Sequence, residues 1–355
     1  MLFLSFGNFF LACLIASSID IVFSDDLIKS LNSLFTSFLF FIVLDSFKTI
    51  YKLLILMEQA VIDKILKAGK IAQELCRYAR SIVIKNRSLF EIATLIDSKI
   101  IELGARSAFP VNLSMNEIAA HYTPVFGDET LAHGLLKVDI GIAVDGYIAD
   151  TAFTVDLDES DENKKLIEAA ESAVSVSVSA FSVGKRLTEI GAEISSAISK
   201  FGFSSISNLS GHSIERFVVH AGWTVPNYDS GQKDVLEEGL YATEPFATNG
   251  HGRVRDGGKS GIYKINVDSG SGVRDRFARD VLAWIADEYK TLPFAGRWVH
   301  AKFSSRGMLA LRQLEQAGVL YQYPQLVEVS GGKVAQAEHT VLLLEDGKKY
   351  ITTKD

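Results

Sequence analysis

The spacing of apolar residues predicts a series of helices along the chain. Apolar positions recur at helical spacing over Met57–Gly104, and the segment Ser88–Glu91 is a capping box that predicts a helix start. The same spacing returns over Ser160–Phe181 and over Thr188–Phe201. Gly104 is typical of a helix end, so the first region contains two helices rather than one.

One stretch alternates between apolar and polar residues and predicts a β-hairpin. It covers Lys137–Val155 and contains the dipeptide Asp145-Gly146, which favours a two-residue type I′ turn. With that turn Asp139 faces Ala152, which lies two residues beyond Asp150. We therefore expect the two aspartates to be diagonal neighbours on one face, about 7–8 Å apart at the backbone.

The second half of the chain combines strands with a helical block. The segments around His212, Glu244 and Glu338 are strand-like, with Gly and Pro residues between them. Helical spacing returns over Arg274–Lys290 and over Arg306–Ala317, separated by a proline. The pattern predicts an α+β fold with a helical insertion at about residues 270–325.

Composition narrows the classes of partner. The chain has 355 residues and a net charge of −7, so it has no basic field that would favour nucleic acid. Its two cysteines, Cys13 and Cys76, are far apart in sequence. A disulfide framework is therefore not expected, which suits a reducing cytosol and predicts a cytoplasmic protein.

The first 56 residues differ from the rest. Met1–Ile19 and Leu31–Leu44 carry no charged residue, and the first run is just long enough to span a bilayer. No Lys or Arg precedes it, which disfavours a secretory signal. Two interpretations stay open: a membrane anchor or hairpin within residues 1–56, or an upstream sequence read in frame with a true start at Met57.

Five side chains after Met57 have the chemistry of a metal centre: Asp139, Asp150, His212, Glu244 and Glu338. Four carboxylates balance the charge of two divalent cations. Oxygen ligands with one imidazole suit Co²⁺, Mn²⁺, Fe²⁺ or Zn²⁺ and do not select among them. Taken singly, each of these residues has an ordinary structural interpretation, such as a solvated strand face or a surface charge.

A second histidine, His220, lies eight residues after His212. If both were on one strand, the even separation would place their imidazoles on the same side. A neutral His212 can then be a metal ligand, and a free His220 can donate a proton or a hydrogen bond.

Seven segments together resemble the methionine aminopeptidases, and they occur in that family's order. The segments are Ala108–Asn112, Ala119–Pro124, Val138–Gly141, Ile148–Ala152, Asn208–His212, Glu244–Thr248 and Ala335–Thr340. The helical stretch between Glu244 and Glu338 resembles the type 2 form, and the absence of a Lys-rich block before Met57 fits the archaeal type. The resemblance implies the pita-bread (creatinase/aminopeptidase) fold, with residues 57–355 as the catalytic domain.

The resemblance also implies residue roles. It makes the five side chains above the metal ligands, with Glu244 also taking the proton of the attacking water. It makes His121 and His220 catalytic and substrate-contacting histidines. Phe109, Val219 and Phe246 match positions that line the pocket for the methionine side chain.

The implied activity is removal of the N-terminal methionine from peptides and nascent chains, with preference for a small second residue. The implied protein is a monomer that contacts the ribosome at most transiently. Two alternatives share the fold. One is an Xaa-Pro aminopeptidase or prolidase, which lacks the helical insertion. The other is a non-catalytic protein that binds ribosomes or nucleic acid, which would have lost metal ligands.

Overall fold

The computed structural model describes residues 58–266 and 272–354. The chain divides into two compact units, Met1–Ala60 and Val61–Asp355. Of the first unit only residues 58–60 are described, so the predicted apolar leader lies outside the described residues. Within the described ranges, no helix has both the length and the hydropathy that a membrane crossing requires.

The predicted helical blocks are confirmed. The helices of the described ranges are α1 (58–82), α2 (Leu89–Glu102), α3 (Asp161–Ala180), α4 (Leu187–Ser199), α5 (Arg276–Tyr289) and α6 (Gly296–Gln316). The capping box forms, because the Ser88 hydroxyl accepts a hydrogen bond from the backbone N–H of Glu91 at 3.4 Å. Ser160 caps α3 in the same way, through the N–H of Asn163.

The prediction for α6 is wrong at its start. We expected a helix from Arg306, whereas α6 begins at Gly296. Ser304 interrupts it with φ at +55° and ψ at −154°, and the helix continues beyond this kink. A positive φ at a serine is set by tertiary packing and leaves no apolar periodicity to read in the sequence.

Fifteen strands form four antiparallel sheets in the described ranges. They are β1 (Arg106–Met115), β2 (Ile118–Ala120), β3 (Leu135–Val144), β4 (Tyr147–Asp156), β5 (Ser204–Ser205), β6 (Ser210–Ile214), β7 (Thr224–Pro226), β8 (Gly239–Thr243), β9 (Phe246–Thr248), β10 (Val254–Ile265), β11 (Phe294–Ala295), β12 (Leu320–Glu328), β13 (Val334–Gln336), β14 (His339–Leu343) and β15 (Lys349–Ile351). The sheet orders are β1-β3-β4, β11-β10-β12-β2, β13-β9-β5 and β15-β14-β8-β6-β7.

The hairpin of β3 and β4 has the predicted register. Asp139 pairs with Ala152 and Asp150 pairs with Gly141. The turn residues Asp145 and Gly146 have φ of +55° and +84°, as a type I′ turn requires. Asp139 and Asp150 are therefore diagonal neighbours on one face of the sheet.

Two of the sheets in the unit Val61–Asp355 are each covered by a pair of helices. Residues of α1 and α2, among them Leu75 and Ile92, pack on β1 and β3 in one core. Residues of α3 and α4, among them Leu166 and Ile194, pack on β8 and β14 in a second core. Helices α5 and α6 build a third core with β11 and the ends of β10 and β12. The first two cores hold β3, β4, β8 and β14, and β6 is buried through Ile214 in a separate core.

Candidate metal centre

One cavity of about 220 Å³ gathers every residue that the sequence predicted for the site. The predicted ligands and histidines in its lining are Asp139, Asp150, His212, Glu244, Glu338, His121 and His220, and the predicted apolar residues are Phe109, Val219 and Phe246. These side chains come from positions as far apart as 109 and 338, so the fold assembles what the sequence separates.

Three of the five acidic and imidazole side chains lie on strands, and two lie at strand breaks. Asp139, Asp150 and His212 are on β3, β4 and β6. Glu244 lies at a break between β8 and β9, and Glu338 lies at a break between β13 and β14, so the segments around both glutamates are strands as predicted. The reason for the break at Glu244 is the following Pro245, which has no N–H for a sheet hydrogen bond.

The donor atoms of three of these residues are close enough to share one cation. Ligand atoms of Asp150, His212 and Glu338 all lie within 4.8 Å of one another, and the three residues are buried. His212 Nε2 lies 3.6 Å from Asp150 Oδ2 and 3.7 Å from Glu244 Oε1. The other ring nitrogen, Nδ1, lies 3.3 Å from the carbonyl oxygen of Ser213. A proton on Nδ1 would leave the Nε2 lone pair facing the carboxylates, the tautomer that a metal ligand needs.

The carboxyl groups carry unfavourable charge in this arrangement. Burial raises the pKa of Asp139 from 3.8 to about 7. Burial, with repulsion from Asp139, raises the pKa of Asp150 well above its usual value. Burial and the charges of the neighbouring aspartates do the same to the pKa of Glu244 and of Glu338. Four carboxylates in one buried cluster repel one another unless cations lie between them.

His212 is neutral in this environment. Burial, followed by the nearby His220, lowers the pKa of His212 from 6.5 to about 3. Its close approaches to Asp150 and Glu244 are therefore not ion pairs, despite distances of 3.6 and 3.7 Å. A neutral imidazole among oxygen donors is what divalent transition metals bind.

Two oxygens of the cluster have unmet bonding capacity. Asp139 Oδ1 and Asp150 Oδ1 are buried and have no hydrogen-bond partner among the described residues. A buried polar atom without a partner is costly and calls for a specific explanation. Cation coordination supplies the missing interaction, so the five side chains fit a divalent metal site.

A turn of the chain, rather than one continuous strand, connects His212 with His220. Strand β6 ends at Ile214, and the chain then turns through paired backbone hydrogen bonds between Glu215 and Val218. This turn returns His220 to His212, with ring centroids 4.1 Å apart. His212 and His220 are therefore not on one strand, yet the two imidazoles lie together. Phe217, with φ at +61°, sits inside the turn.

His121 lines the cavity and packs against Tyr323. Its backbone φ is +63°, and its ring packs edge-on against Tyr323 at 5.4 Å between centroids. Its Nδ1 has no hydrogen-bond partner among the described residues. Burial, with a smaller contribution from His220, lowers the pKa of His121 to about 4. His121 therefore faces the cavity as a neutral imidazole.

An apolar wall stands beside the acidic cluster. Phe109, Val219 and Phe246 are 8%, 6% and 1% exposed. Gly141 makes room for the first of them, because a Cβ at Gly141 would lie 2.3 Å from Phe109 Cε1. The cavity therefore combines a polar, ligand-rich end with a surface suited to an aliphatic side chain.

Sequence reasoning missed several residues of the site. Gln336 is 1% exposed, and its Nε2 lies 3.4 Å from Glu244 Oε2 and 3.5 Å from Glu338 Oε2. Asn227 is fully buried and donates hydrogen bonds to the carbonyls of Leu209 and Glu244, at 3.0 Å each. The position of Gln336, two residues before Glu338, was a usable signal. Asn227 gave none, because its partners are distant in sequence.

Sequence comparison assigns the chain to a family. Residues 63–283 match the model of metallopeptidase family M24. That range covers more than half of the chain. The chain belongs to metallopeptidase family M24. The carboxylate and imidazole cluster is thus found in a family whose members are metal-dependent peptidases, and the predicted requirement for divalent metal is confirmed.

Curated relatives of this M24 chain are methionine aminopeptidases from archaea. The methionine aminopeptidase of Pyrococcus horikoshii is 47% identical over 300 residues, which cover 82% of this chain and 99% of the relative. The methionine aminopeptidase of Archaeoglobus fulgidus is 41% identical over 301 residues, covering 84% of this chain and all of the relative. The resemblance to the archaeal methionine aminopeptidases is confirmed.

Solved structures agree on the fold. A methionine aminopeptidase from Thermotoga maritima superposes with a TM-score of 0.60 at 22% identity, over 83% of this chain and 97% of that one. At such low identity the likeness concerns the fold alone. Together with the family match, it confirms the predicted α+β pita-bread architecture.

Proposed function

We propose that this chain hydrolyses the peptide bond after an N-terminal methionine. The observation that carries the proposal is the shared cavity: five metal-binding side chains stand beside the apolar wall of Phe109, Val219 and Phe246. Relatives that match the chain at 41–47% identity over nearly their whole length are methionine aminopeptidases. The substrates are peptides and nascent chains that begin with methionine.

We assign the ligand role to Asp139, Asp150, His212, Glu244 and Glu338, arranged for two divalent ions. Bound divalent cations would supply Lewis-acid polarisation of the carbonyl and an activated water. Geometry supports the assignment, because three of the five have ligand atoms within 4.8 Å of one another and two aspartate oxygens lack any other partner.

Glu244 is the residue that we assign to proton transfer. Its side chain is 15% exposed, whereas those of Asp150 and His212 are 4% and 6% exposed. It is therefore more open than Asp150 to water that enters the cavity, which supports the role that the family resemblance implies for it.

His121 and His220 flank the reacting carbonyl in this proposal. Both line the cavity, and neither is among the five ligands. His121 packs against Tyr323 of the cavity lining, and the ring centroid of His220 lies 4.1 Å from that of His212. A hydrogen bond from either imidazole to the developing oxyanion stabilises the transition state more than the ground state.

The apolar wall selects the first residue. An unbranched thioether is flexible and polarisable, and it packs well between two phenyl rings, here those of Phe109 and Phe246. The preference for a small second residue is the one that the resemblance to the methionine aminopeptidases implies, and we retain it in the proposal.

The domain, the cellular location and the partners of the protein complete the proposal. We propose that residues 57–355 form the catalytic domain, with α5 and α6 as its helical insertion. We further propose that the protein works in the cytoplasm as a monomer that meets the ribosome transiently. The acidic net charge of −7 supports the absence of a nucleic-acid partner.

A panel of three peptides tests the function. The protein is loaded in turn with Mn²⁺, Co²⁺, Fe²⁺ or Zn²⁺ and given Met-Ala-Ser, Leu-Ala-Ser or Ala-Pro, and the released amino acid is measured by chromatography. We expect free methionine from the first peptide and little product from the other two. Cleavage of Ala-Pro in preference to Met-Ala-Ser would instead assign the chain to the prolidases.

A further inference from the structure

Strands β10 and β12 form one wall of the cavity and extend past its edge. Ile262 on β10 and Tyr323 on β12 belong to the lining. Alternate residues of a strand point to the same face, so Lys264 follows Ile262 and Tyr321 follows Tyr323 along that wall. Lys264 and Tyr321 are paired across the two strands. Tyr321 is 45% exposed, so this direction leads from the cavity to solvent.

Lys264 rests on aromatic rings and has no acidic partner. Its Nζ lies 5.6 Å from the ring centroid of Tyr321 and 5.4 Å from that of Tyr323. In the part of the chain that the structure describes, Lys264 makes no ion pair, whereas Lys259 on the same strand pairs with Glu315 at 2.9 Å. The ammonium group therefore keeps its full capacity for an anion.

Tyr323 connects Lys264 to the cavity. Its ring centroid lies 5.4 Å from Lys264 Nζ and 5.4 Å from the ring centroid of His121, which also lines the cavity.

The two aromatic rings lie beside the ammonium group without neutralising its charge. Burial, with a smaller contribution from Tyr321, raises the pKa of Tyr323 from 10.0 to about 12, so its ring carries no negative charge at neutral pH. An ammonium group without an acidic partner is suited to a carboxylate, which accepts charge-assisted hydrogen bonds.

We propose that Lys264, Tyr321 and Tyr323 form an anion subsite for an acidic side chain of the peptide substrate. This subsite rests on the proposed function, because it takes its ligand from a peptide whose first residue fills the cavity. An extended peptide rises about 3.3 Å per residue. We therefore expect a residue after the second to reach Lys264 when the chain leaves the cavity past Tyr323, and we test the third and the fourth positions.

Matched peptides with amidated C-termini test the subsite. Met-Ala-Asp-Ser-NH₂ is compared with Met-Ala-Asn-Ser-NH₂, and Met-Ala-Ser-Asp-NH₂ with Met-Ala-Ser-Asn-NH₂, so that each pair differs by one charge. We expect kcat/KM to favour Asp over Asn by about two- to five-fold in at least one pair, the size of a solvent-exposed ion pair. The preference should vanish at about 1 M salt, where the Debye length is about 3 Å.

Three variants attribute the preference to Lys264. Lys264→Met keeps the apolar stem on the tyrosine rings and should bring the Asp-to-Asn ratio to about one. Lys264→Arg should keep the ratio above one. Lys259→Met, on the same strand, should leave the wild-type ratio in place.

Two outcomes overturn the subsite. One is a wild-type ratio of about one in both peptide pairs. The other is an unchanged ratio in Lys264→Met. Neither is confused with failure of the proposed function, since in that case the neutral Asn peptides would release no methionine from the wild-type protein.

Discussion

The hydroxyl of Thr340 bridges the two backbone groups of Asp150. It accepts a hydrogen bond from the Asp150 N–H at 2.8 Å and donates one to the Asp150 carbonyl at 2.7 Å. Thr154 mirrors this pattern at Gln336, whose N–H and carbonyl it engages at 2.9 and 2.7 Å. These hydroxyls join β4 to β13 and β14 by hydrogen bonds. They therefore hold the strand that carries Asp150 against the two strands that flank Glu338.

We predict that Thr340→Val weakens metal binding while leaving every candidate ligand in place. Valine has the shape of threonine without its hydroxyl, so the buried N–H and carbonyl of Asp150 lose this partner. The expected loss is about 1–3 kcal/mol of stability and about 10–100-fold in metal affinity. Chemical denaturation and metal titration measure the two effects. Thr340→Ser retains the hydroxyl and should stay close to wild type; equal weakening by Val and Ser would contradict the bridging role.

Removal of the metal should make the free energy of unfolding fall as the pH rises into the alkaline range. In the metal-free protein the fold raises the pKa values of the four carboxyl groups, so near pH 4 these groups contribute their full stabilisation of the folded state. That stabilisation is lost as the pH rises through the pKa values of the folded protein, about 7 for Asp139. Below about pH 6.5 the buried neutral histidines act in the opposite direction, because the unfolded chain binds their protons more readily. The carboxyl effect should therefore be visible above pH 7.

Thermal unfolding of chelated protein between pH 7 and about pH 9 checks this expectation. We expect the Tm to fall with pH in the chelated protein and to recover when divalent metal is restored. Asp150→Asn removes one titrating group and should give a shallower decline. A chelated protein whose Tm is flat or rises over this range would show that the carboxyl groups are not packed against one another as described.

His220→Ala should lower kcat far more than it weakens metal binding. The imidazole contacts the His212 ring at 4.1 Å but lies outside the five candidate ligands. One positioned acid or hydrogen-bond donor contributes about 10²–10⁴-fold to rate. Steady-state kinetics and metal titration of the same variant separate the two effects. If the variant mainly loses metal, His220 is a ligand and its assigned role is wrong.

We predict a large stability loss when the helical insertion loses its main polar anchor. Arg297, at the start of α6, makes two hydrogen bonds to Asp97 of α2, at 3.0 and 3.1 Å, and its side chain is 3% exposed. Asp97→Ala leaves this guanidinium buried without its carboxylate, which costs about 3–5 kcal/mol. Glu102→Ala breaks the exposed pair with Lys99 and should cost at most about 1 kcal/mol. Equal effects in urea denaturation would refute the anchoring role.

Local signals in the sequence predicted the parts of the site that local structure controls. The Asp145-Gly146 turn fixes the hairpin register through its own backbone conformation, so the relation between Asp139 and Asp150 followed from four strand residues and a turn. The capping box at Ser88 worked for the same reason. In both cases the interacting groups lie within a few residues of one another.

Long-range contacts decided the features that the sequence did not reveal. The turn that returns His220 to His212 is held by Phe217, whose N–H donates to the Gly146 carbonyl at 2.8 Å and whose carbonyl accepts from the Thr291 hydroxyl. These partners lie about seventy residues away on either side. No periodicity within the turn indicates these contacts, so the path of the chain from His212 to His220 could not be predicted.

The most direct test is methionine release from Met-Ala-Ser as divalent metal is titrated into chelated protein, with bound metal measured in the same samples. The account predicts no release without metal, release that rises with occupancy of the cluster, and loss of both turnover and occupancy in Asp150→Asn and Glu338→Ala while the far-UV circular dichroism is retained. Full methionine release by the chelated protein, or by either variant, would contradict it.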